Sequence, residues 1–327
     1  MTAGLSDGLA DGLADGITLG IYEKALVAGP LETADDWRTF LAQVPEAGFS
    51  FLDISIDESP QRQARLEWDA AACHRVRDAA AEVGAGIGGV CLSVHRGIAP
   101  GSADPAVRQR AREVMARGLQ VCHDLGAPVI QIAGYYCYYE DPSPDAARWY
   151  GELLADAVPM ASRLGVIMGI ENVDGTDVTS IRKAMEFVRA VGSPYLQVYP
   201  DLGNIAEQGL DPAVELEAGK GHMVAMHAKD VRRGEPRRVG MGEGIVDWDR
   251  LRAAPSPALD GPPHDRDVER RCARFGCQVR HRPQVHREQG FSSRNPGPRA
   301  LRLLAVGRAA PAARSSAVLR GAPVDAP

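Results

Sequence analysis

Two apolar segments that each end on a carboxylate constrain the fold of this chain more than any other feature. Residues 165–174 read GVIMGIENVD, with Glu171 closing the apolar run, and residues 196–204 read LQVYPDLGN, with Asp201 in the same place. A helical segment, residues 178–192, separates them. In a parallel α/β barrel, side chains at the carboxyl ends of the strands form the active site. We therefore expect the two carboxylates to face one pocket.

The same alternation of strand and helix extends over most of the chain. A length of 327 residues fits one barrel of about 250 residues with extensions, or two small domains. No glycine-rich dinucleotide-binding turn follows the first strand, which favours a (β/α)8 TIM barrel over a doubly wound sheet. Residues 1–16, with their Leu-Ala-Asp-Gly repeat, predict a disordered leader. The seven predicted strands lie within residues 17–26, 49–57, 87–95, 129–134, 165–174, 196–204 and 223–231.

The barrel pattern occupies residues 17–252 and stops one strand short. An eighth strand is expected after the helix that begins near residue 247, but none follows. Residues 253–327 contain 13 Arg and 10 Pro, and no Lys, Ile, Met, Tyr or Trp. A natural Arg/Pro-rich disordered tail would have this composition, and so would a GC-rich gene read in the wrong frame. We therefore predict an incomplete barrel, whose first and seventh strands are unpaired edges.

Back-translation favours the wrong-frame interpretation. Residues 263–270, PHDRDVER, can be encoded by CCT CAT GAT CGA GAT GTG GAA CGG. Read one nucleotide later, this DNA encodes Leu-Met-Ile-Glu-Met-Trp-Asn, an apolar strand that ends on a carboxylate at the distance expected for the eighth strand. We predict that residues 253–327 are a frameshifted, disordered tail and that the chain as written is impaired as an enzyme. Sequencing the gene around codons 250–265 tests this hypothesis.

Charge is distributed unevenly along the chain. Residues 1–252 contain 24 Lys and Arg against 37 Asp and Glu, whereas residues 253–327 contain 13 Arg against six acids. An acidic barrel argues against a nucleic-acid-binding surface. No apolar run approaches the roughly 20 residues that span a bilayer, and the six cysteines show no paired metal-binding spacing. We expect a cytoplasmic protein without a membrane or nucleic-acid partner.

An imidazole joins the two carboxylates. His227 lies near the end of the seventh predicted strand, in a place equivalent to those of Glu171 and Asp201. Taken singly, a carboxylate at a strand end is often a helix cap, and a lone histidine is more often structural. Three such groups in successive β/α units favour a divalent-metal site of the Zn or Mn type, with Mg as a further candidate.

Five further side chains are candidate substrate contacts. Lys24 and Lys229 lie near the ends of the first and seventh predicted strands, Glu58 follows the second, and His95 and Arg96 close the third. The lysines and Arg96 could bind an anion, and barrels often hold phosphate in the loop after the seventh strand, here including residues 242–244. A structural hydrogen bond for His95 and a solvated loop for Glu58 are equally open interpretations.

Eight short strings between residues 17 and 252 are together highly specific. They are LGIYEKAL (19–26), DES (57–59), RLEW (65–68), CLSVHR (91–96), QIAGY (131–135), YPDLGN (199–204), HAKD (227–230) and GEGIVD (242–247). Their combination resembles the L-ribulose-5-phosphate (L-xylulose-5-phosphate) 3-epimerases of the xylose isomerase-like barrel superfamily. This resemblance implies a metal held by Glu171, Asp201, His227 and a glutamate on the eighth strand. The chain departs from the family there, because the nearest acid in register, Asp267, has no strand around it.

The resemblance implies a metal-dependent isomerase that interconverts L-xylulose 5-phosphate and L-ribulose 5-phosphate. Inverting a carbon next to a ketone requires a proton to leave one face and another to return on the opposite face, which two carboxylates accomplish, helped by a cation. We expect Glu171 to be one of them, the partner to be a small sugar phosphate, and a homodimer to be one candidate assembly. Alternatives are an enzyme for hexulose phosphates or free ketoses, and a non-catalytic metal-binding barrel with a functional basic tail. An apurinic-site nuclease of this superfamily would need several more His and acidic ligands.

Overall fold

A parallel sheet of short apolar strands forms the centre of the molecule. The computed structural model describes residues 18–26, 29, 31–253, 277–280 and 303–305. The central strands are β1 (Leu19–Tyr22), β2 (Phe51–Ile56), β3 (Gly86–Leu92), β4 (Val129–Ala133), β5 (Ile167–Glu171), β6 (Leu196–Tyr199) and β7 (Ala225–Ala228). Strands β1 to β6 pair in chain order, each parallel to the next. Parallel bridges from Val198 to Met223 and from Asp201 to His227 join β6 to β7.

Helices connect the strands and cover the outside of the sheet. They are α1 (Ala34–Glu46), α2 (Pro60–Gln63), α3 (Ala70–Glu82), α4 (Pro105–Asp124), α5 (Ala146–Leu164), α6 (Ile181–Val191), α7 (Leu202–Glu207), α8 (Pro212–Ala218) and α9 (Trp248–Ala253). Side chains of Thr33, Asp69, Asp104 and Ser180 cap helix N-termini. Gly165 ends α5 with a φ of 67°, a left-handed conformation that favours glycine. Regular β/α units around a large buried apolar cluster confirm the predicted TIM-barrel fold class.

The ring of Phe51 lies against the backbones of β1 and β3 near the amino-terminal end of the barrel. Phe51 is the first residue of β2 and is 6% exposed. A Cβ atom placed on Gly20 or on Gly88 would overlap its ring. Glycines on the two strands flanking β2 therefore make the room that this ring needs, and the opposite end of the barrel is left for polar side chains.

The predicted seventh strand is in fact two strands. β7 ends at Ala228, and Asp230–Arg232 forms β8, which pairs antiparallel with β9 (Glu235–Val239) in a separate hairpin. The Asp230 carboxylate is hydrogen-bonded by groups of the segment that follows it. It accepts hydrogen bonds from the backbone N–H groups of Val231, Gly242, Gly244 and Val246 and from the Trp248 indole, at 2.8–3.2 Å.

Two short strands lie at the seam between β7 and β1. β10 (Cys277–Arg280) pairs antiparallel with both β1 and β7, and β11 (Leu303–Ala305) pairs parallel with β1. The expectation that the first and seventh strands are unpaired edges is therefore wrong. Extended edges carry unpaired N–H and C=O groups, and any extended segment of the chain can satisfy them. β11 is the parallel neighbour of β1 in the described part of the chain, and the residues around Asp267, where the sequence would place an eighth strand, lie outside it.

Other expectations for the ends of the chain fall outside the described residues. The predicted disordered leader at 1–16 lies wholly outside them. The predicted disordered tail at 253–327 lies outside them except for residue 253, β10 and β11, which the structure describes. Every helix in the described ranges is too short or too polar to cross a membrane.

Candidate active site

Three potential ligands meet at the carboxyl ends of β5, β6 and β7. Glu171 is the last residue of β5, Asp201 directly follows Pro200 after β6, and His227 is the third residue of β7. One ligand atom from each residue lies within 4.8 Å of the other two. His227 Nδ1 is 2.5 Å from Glu171 Oε1 and 3.6 Å from Asp201 Oδ2. The structure thus brings together the three residues proposed from the sequence.

The parallel register brings these side chains to one level. Glu171 lies opposite Tyr199 in the β5–β6 pair, and Asp201 pairs with His227 across an isolated parallel bridge. The His227 N–H donates to the Pro200 carbonyl at 2.7 Å, which fixes the height of β7 against the end of β6. Because parallel strands end at the same edge of a sheet, three successive strands deliver their polar residues to one place.

Neighbouring charges shift the pKa values of His227 and Asp201. Burial disfavours a charged imidazole, but the carboxylates of Glu171 and Asp201 outweigh it and raise the pKa of His227 to about 9. Burial also opposes ionisation of Asp201, yet the Lys229 ammonium, 3.2 Å away, and His227 lower the pKa of that carboxyl. The carboxylates of Glu171 and Asp201 therefore both contact His227, and Asp201 also contacts Lys229.

Two asparagines brace Asp201. Asn172 accepts a hydrogen bond from the Asp201 N–H at 2.8 Å and donates to the Asp201 carbonyl at 3.0 Å. Asn204 donates its backbone N–H to Asp201 Oδ1 at 2.8 Å, its side-chain amide to the Asn172 carbonyl, and accepts from Lys229 Nζ at 2.6 Å. Sequence reasoning assigned no role to either asparagine. Their position directly after Glu171 and within the string YPDLGN was the available signal.

Beneath the three ligands lies a polar layer that sequence reasoning also missed. The Tyr199 ring packs against the His227 ring at 4.7 Å, and its hydroxyl donates to Asp53 at 3.2 Å. Gln131 of β4 donates from Nε2 to Glu171 Oε2. These side chains come from β2, β4 and β6, as alternate strands supply one layer of a TIM-barrel interior.

The donor set suits a divalent cation. Two carboxylate oxygens and one imidazole nitrogen are ligands that Zn²⁺ and Mn²⁺ accept. The Nδ1 atom of His227 faces both carboxylates, while its buried Nε2 has no hydrogen-bond partner within the described ranges. A buried group of this kind is normally satisfied by a partner or ordered water. The residues present therefore fit a cation, which would be held by Glu171, Asp201 and His227.

Lys24, Glu58 and Arg96 are ion-paired at the rim. Lys24 pairs with Asp57, and Arg96 Nη2 lies 2.9 Å from Glu58 Oε2. Burial opposes the charge of Asp57, but hydrogen bonds from Lys24 and Ser59 lower its pKa to about 2. Substrate contacts by Lys24, Glu58 and Arg96 stay predictions. Any anion bound by Lys24 or Arg96 must compete with the carboxylate already there.

His95 lies inside the protein. Its ring is 2% exposed, and Nε2 contacts the Ala111 carbonyl of α4 at 3.1 Å. Burial without an acidic partner lowers the pKa of His95 to about 4. This contact matches the structural hydrogen bond that was one of the two interpretations of His95 in the sequence. The other interpretation, a contact with substrate, stays a prediction.

The loop after β7 is organised around an acid. The amides of Gly242 and Gly244, where sequence reasoning expected phosphate, donate to Asp230 Oδ2 at 2.8 and 3.1 Å. These two donors are therefore occupied within the fold. Lys229, the other candidate in this loop, contacts Asp201 and Asn204 and so belongs to the metal-ligand cluster.

One rim residue had no sequence signal. Arg237 of β9 donates to Asp174 Oδ2 at 2.9 Å, and the Tyr135 hydroxyl donates to the other oxygen of that carboxylate. This contact ties the β8–β9 hairpin to the loops after β4 and β5. Nothing in the spacing of the sequence connects Arg237 with Asp174, because 63 residues separate them.

Comparisons with known proteins agree with this architecture. The family model of the xylose isomerase-like TIM barrel matches residues 41–254. The L-ribulose-5-phosphate 3-epimerase UlaE of Salmonella heidelberg is 39% identical over 232 residues, covering 71% of this chain and 80% of that protein. The protein of the same name from Shigella boydii matches with the same identity and coverage.

Solved structures share the fold at lower identity. An L-ribulose 3-epimerase superposes with a TM-score of 0.59 at 18% identity, covering 73% of this chain and 76% of that one. A D-psicose 3-epimerase crystallised in the presence of D-fructose gives 0.60 at 17% identity, covering 73% and 80%. The resemblance read from the sequence is confirmed: this chain belongs to the L-ribulose-5-phosphate 3-epimerase family of xylose isomerase-like TIM barrels.

Proposed function

We propose that this chain is a sugar-phosphate 3-epimerase by descent, with L-xylulose 5-phosphate and L-ribulose 5-phosphate as its substrate pair. The observation that carries the proposal is the meeting of Glu171, Asp201 and His227 at the catalytic end of the barrel, with ligand atoms within 4.8 Å of one another. The 39% identical relatives named L-ribulose-5-phosphate 3-epimerase support the substrate class.

In this proposal Glu171 exchanges a proton with the carbon next to the ketone. Its side chain is 12% exposed, so one edge remains accessible while the rest is shielded from water. Asp201 is held by Asn172, Asn204 and Lys229 and does not have to reorganise during the reaction. A bound divalent cation would supply positive charge against the negative charge that develops on the substrate oxygens.

A second acid is needed to complete an inversion. The group of potential ligands in the described part of the chain has three members, and all come from β5 to β7. Asp267, the nearest acid in register with the family's second glutamate, lies outside the described residues. We propose that the chain as written inverts its substrate poorly, since a single carboxylate reaches one face of the carbon.

Metal binding and catalysis can be tested separately. Titration calorimetry with Mn²⁺ should show one site, which Asp201→Asn and His227→Gln weaken strongly. Each pentulose phosphate is then incubated with metal-loaded protein in D₂O. We expect one epimer to gain deuterium at carbon 3 with retention, through Glu171, much faster than the other epimer forms.

Each outcome of that experiment has a clear meaning. A chain that binds no Mn²⁺, Zn²⁺ or Mg²⁺ contradicts the metal site. Rapid formation of the second epimer contradicts the proposed impairment but supports the activity. Metal binding without any deuterium uptake from pentulose phosphates, hexulose phosphates or free ketoses would favour the non-catalytic barrel.

A further inference from the structure

A buried amide lies in the middle of an otherwise apolar strand. β4 reads Val-Ile-Gln-Ile-Ala, all five residues are buried, and Gln131 is 3% exposed. Burying an amide without full hydrogen bonding is unfavourable. Its Oε1 has no partner in the part of the chain that the structure describes, so only the other end of the amide offsets this cost.

That other end holds Glu171. Gln131 lies opposite Gly169 in the β4–β5 pair, and Ala133 lies opposite Glu171, so the amide sits one pleat below the carboxylate. Its Nε2 donates to Glu171 Oε2. The amide orientation follows from chemistry, because the oxygen end would repel a carboxylate.

The two oxygens of Glu171 are therefore held by different donors. Oε2 is held from below by Gln131, and Oε1 lies 2.5 Å from His227 Nδ1, on the side of Asp201. A free glutamate side chain rotates about three bonds, and fixing one oxygen removes most of that freedom. The tether leaves Oε1 as the oxygen presented to the cluster of potential ligands.

We infer that Gln131 is a positioning residue that sets which oxygen of Glu171 binds the cation. This inference rests on the proposed metal site. It goes beyond that site because Gln131 is not one of the three potential ligands, and the sequence strings gave it no role. Partners that orient a metal ligand typically change metal affinity by about 10- to 100-fold when removed. The described hydrogen bond of Gln131 is to Glu171, so we place its effect on the cation through Glu171.

The test compares Gln131→Met with the unaltered 327-residue chain. Methionine keeps the length and flexibility of the side chain but cannot donate to Glu171. Ser55→Ala is the matched control, because Ser55 is buried in β2 and bonds Tyr22, not a ligand. The readouts are the Kd for Mn²⁺, the visible spectrum of bound Co²⁺, which reports ligand geometry, and the thermal midpoint of the metal-free protein.

We expect Gln131→Met to bind Mn²⁺ about 10- to 100-fold more weakly and to change the Co²⁺ spectrum, while Ser55→Ala leaves both unchanged. An unaltered Kd and spectrum in Gln131→Met, with Mn²⁺ bound by the parent chain, would overturn the inference. A second result would also overturn it: Gln131→Met binds Mn²⁺ more weakly, its Co²⁺ spectrum is unchanged, and its thermal midpoint is lowered as much as that of Ser55→Ala. This combination would indicate that Gln131 has only a structural role. Failure of the parent chain to bind any metal would instead overturn the proposed function.

Discussion

Among the histidines that the structure describes, the buried His95 and His227 show how neighbours set the charge of one side-chain type. His227 lies between Glu171 and Asp201, and its pKa rises to about 9 despite burial. The polar contact of His95 in the described ranges is the Ala111 carbonyl, and burial lowers the pKa of this imidazole to about 4. The first histidine is therefore a cation in the metal-free protein at neutral pH, and the second is neutral.

The pKa of His95 predicts acid sensitivity. It is about 4 in the folded protein and about 6.5 when unfolded, so below pH 6.5 the unfolded chain binds a proton that the folded chain does not. Stability consequently falls as the pH drops from 6.5 to 4, by about 2 kcal/mol at pH 5. Urea unfolding of the parent and of His95→Gln at pH 7.5 and pH 5 measures this effect.

The substitution should cost stability at pH 7.5, because packing is lost, and the deficit should shrink or reverse at pH 5. A deficit of equal size at both values would contradict the pKa argument. Retention of substrate or inhibitor affinity by His95→Gln would further assign His95 to the structure and not to the substrate site.

At the scale of elements, a buried ion pair joins the ends of β1 and β2. Arg65 donates from Nη1 and Nη2 to Glu23 at 2.6 and 2.9 Å, and Glu23 also accepts the Ser55 N–H at 2.8 Å. The guanidinium lies 5.4 Å from the ring centroids of both Trp37 and Trp68. The Glu23–Arg65 ion pair thus contacts or includes residues of four elements: the turns at 23–25 and 64–67, β2 and α1.

Removing one partner should be more harmful than removing both. Arg65→Met leaves the Glu23 carboxylate buried with fewer partners, and we expect a loss of about 3–5 kcal/mol. Adding Glu23→Gln should recover part of that loss. Urea unfolding of both single variants and the double variant measures the coupling, with Arg62→Met as the control at the more exposed partner of Glu23. Strictly additive losses would show that the pair is not coupled.

Elements and site differ in how well the sequence predicts them. The strands that end on Glu171 and Asp201 were predictable, because an apolar run and its terminal acid are local signals. The break between β7 and β8 was not, because the donors that hold Asp230 lie up to 18 residues further along the chain. The role of Gln131 was hidden for the same reason, since Glu171 is 40 residues away.

At the scale of the whole molecule, the seam between β7 and β1 separates this chain from a complete barrel. β10 runs antiparallel to both neighbours, with Arg280 opposite Ala225 at the start of β7. Its carboxyl end therefore points away from the end of the barrel that carries Glu171 and His227. Neither Cys-Gln-Val-Arg nor Leu-Leu-Ala contains an acid. The described seam strands close the sheet without adding a ligand.

If residues 253–327 are frameshifted, as the sequence predicts, shifting the reading frame back should change the chemistry as well as the fold. A gene shifted by one nucleotide before codon 263 encodes Leu-Met-Ile-Glu-Met-Trp-Asn, which can form a parallel eighth strand with its glutamate at the catalytic end. A fourth ligand beside Glu171, Asp201 and His227 should tighten Mn²⁺ binding by at least about 10-fold and restore inversion of both pentulose phosphates. The matched control carries glutamine in place of that glutamate, which keeps the strand but removes the acid. If the shifted chain binds Mn²⁺ no better than the 327-residue chain, the predicted fourth ligand is wrong, and if resequencing upholds the present frame, the frameshift prediction is wrong.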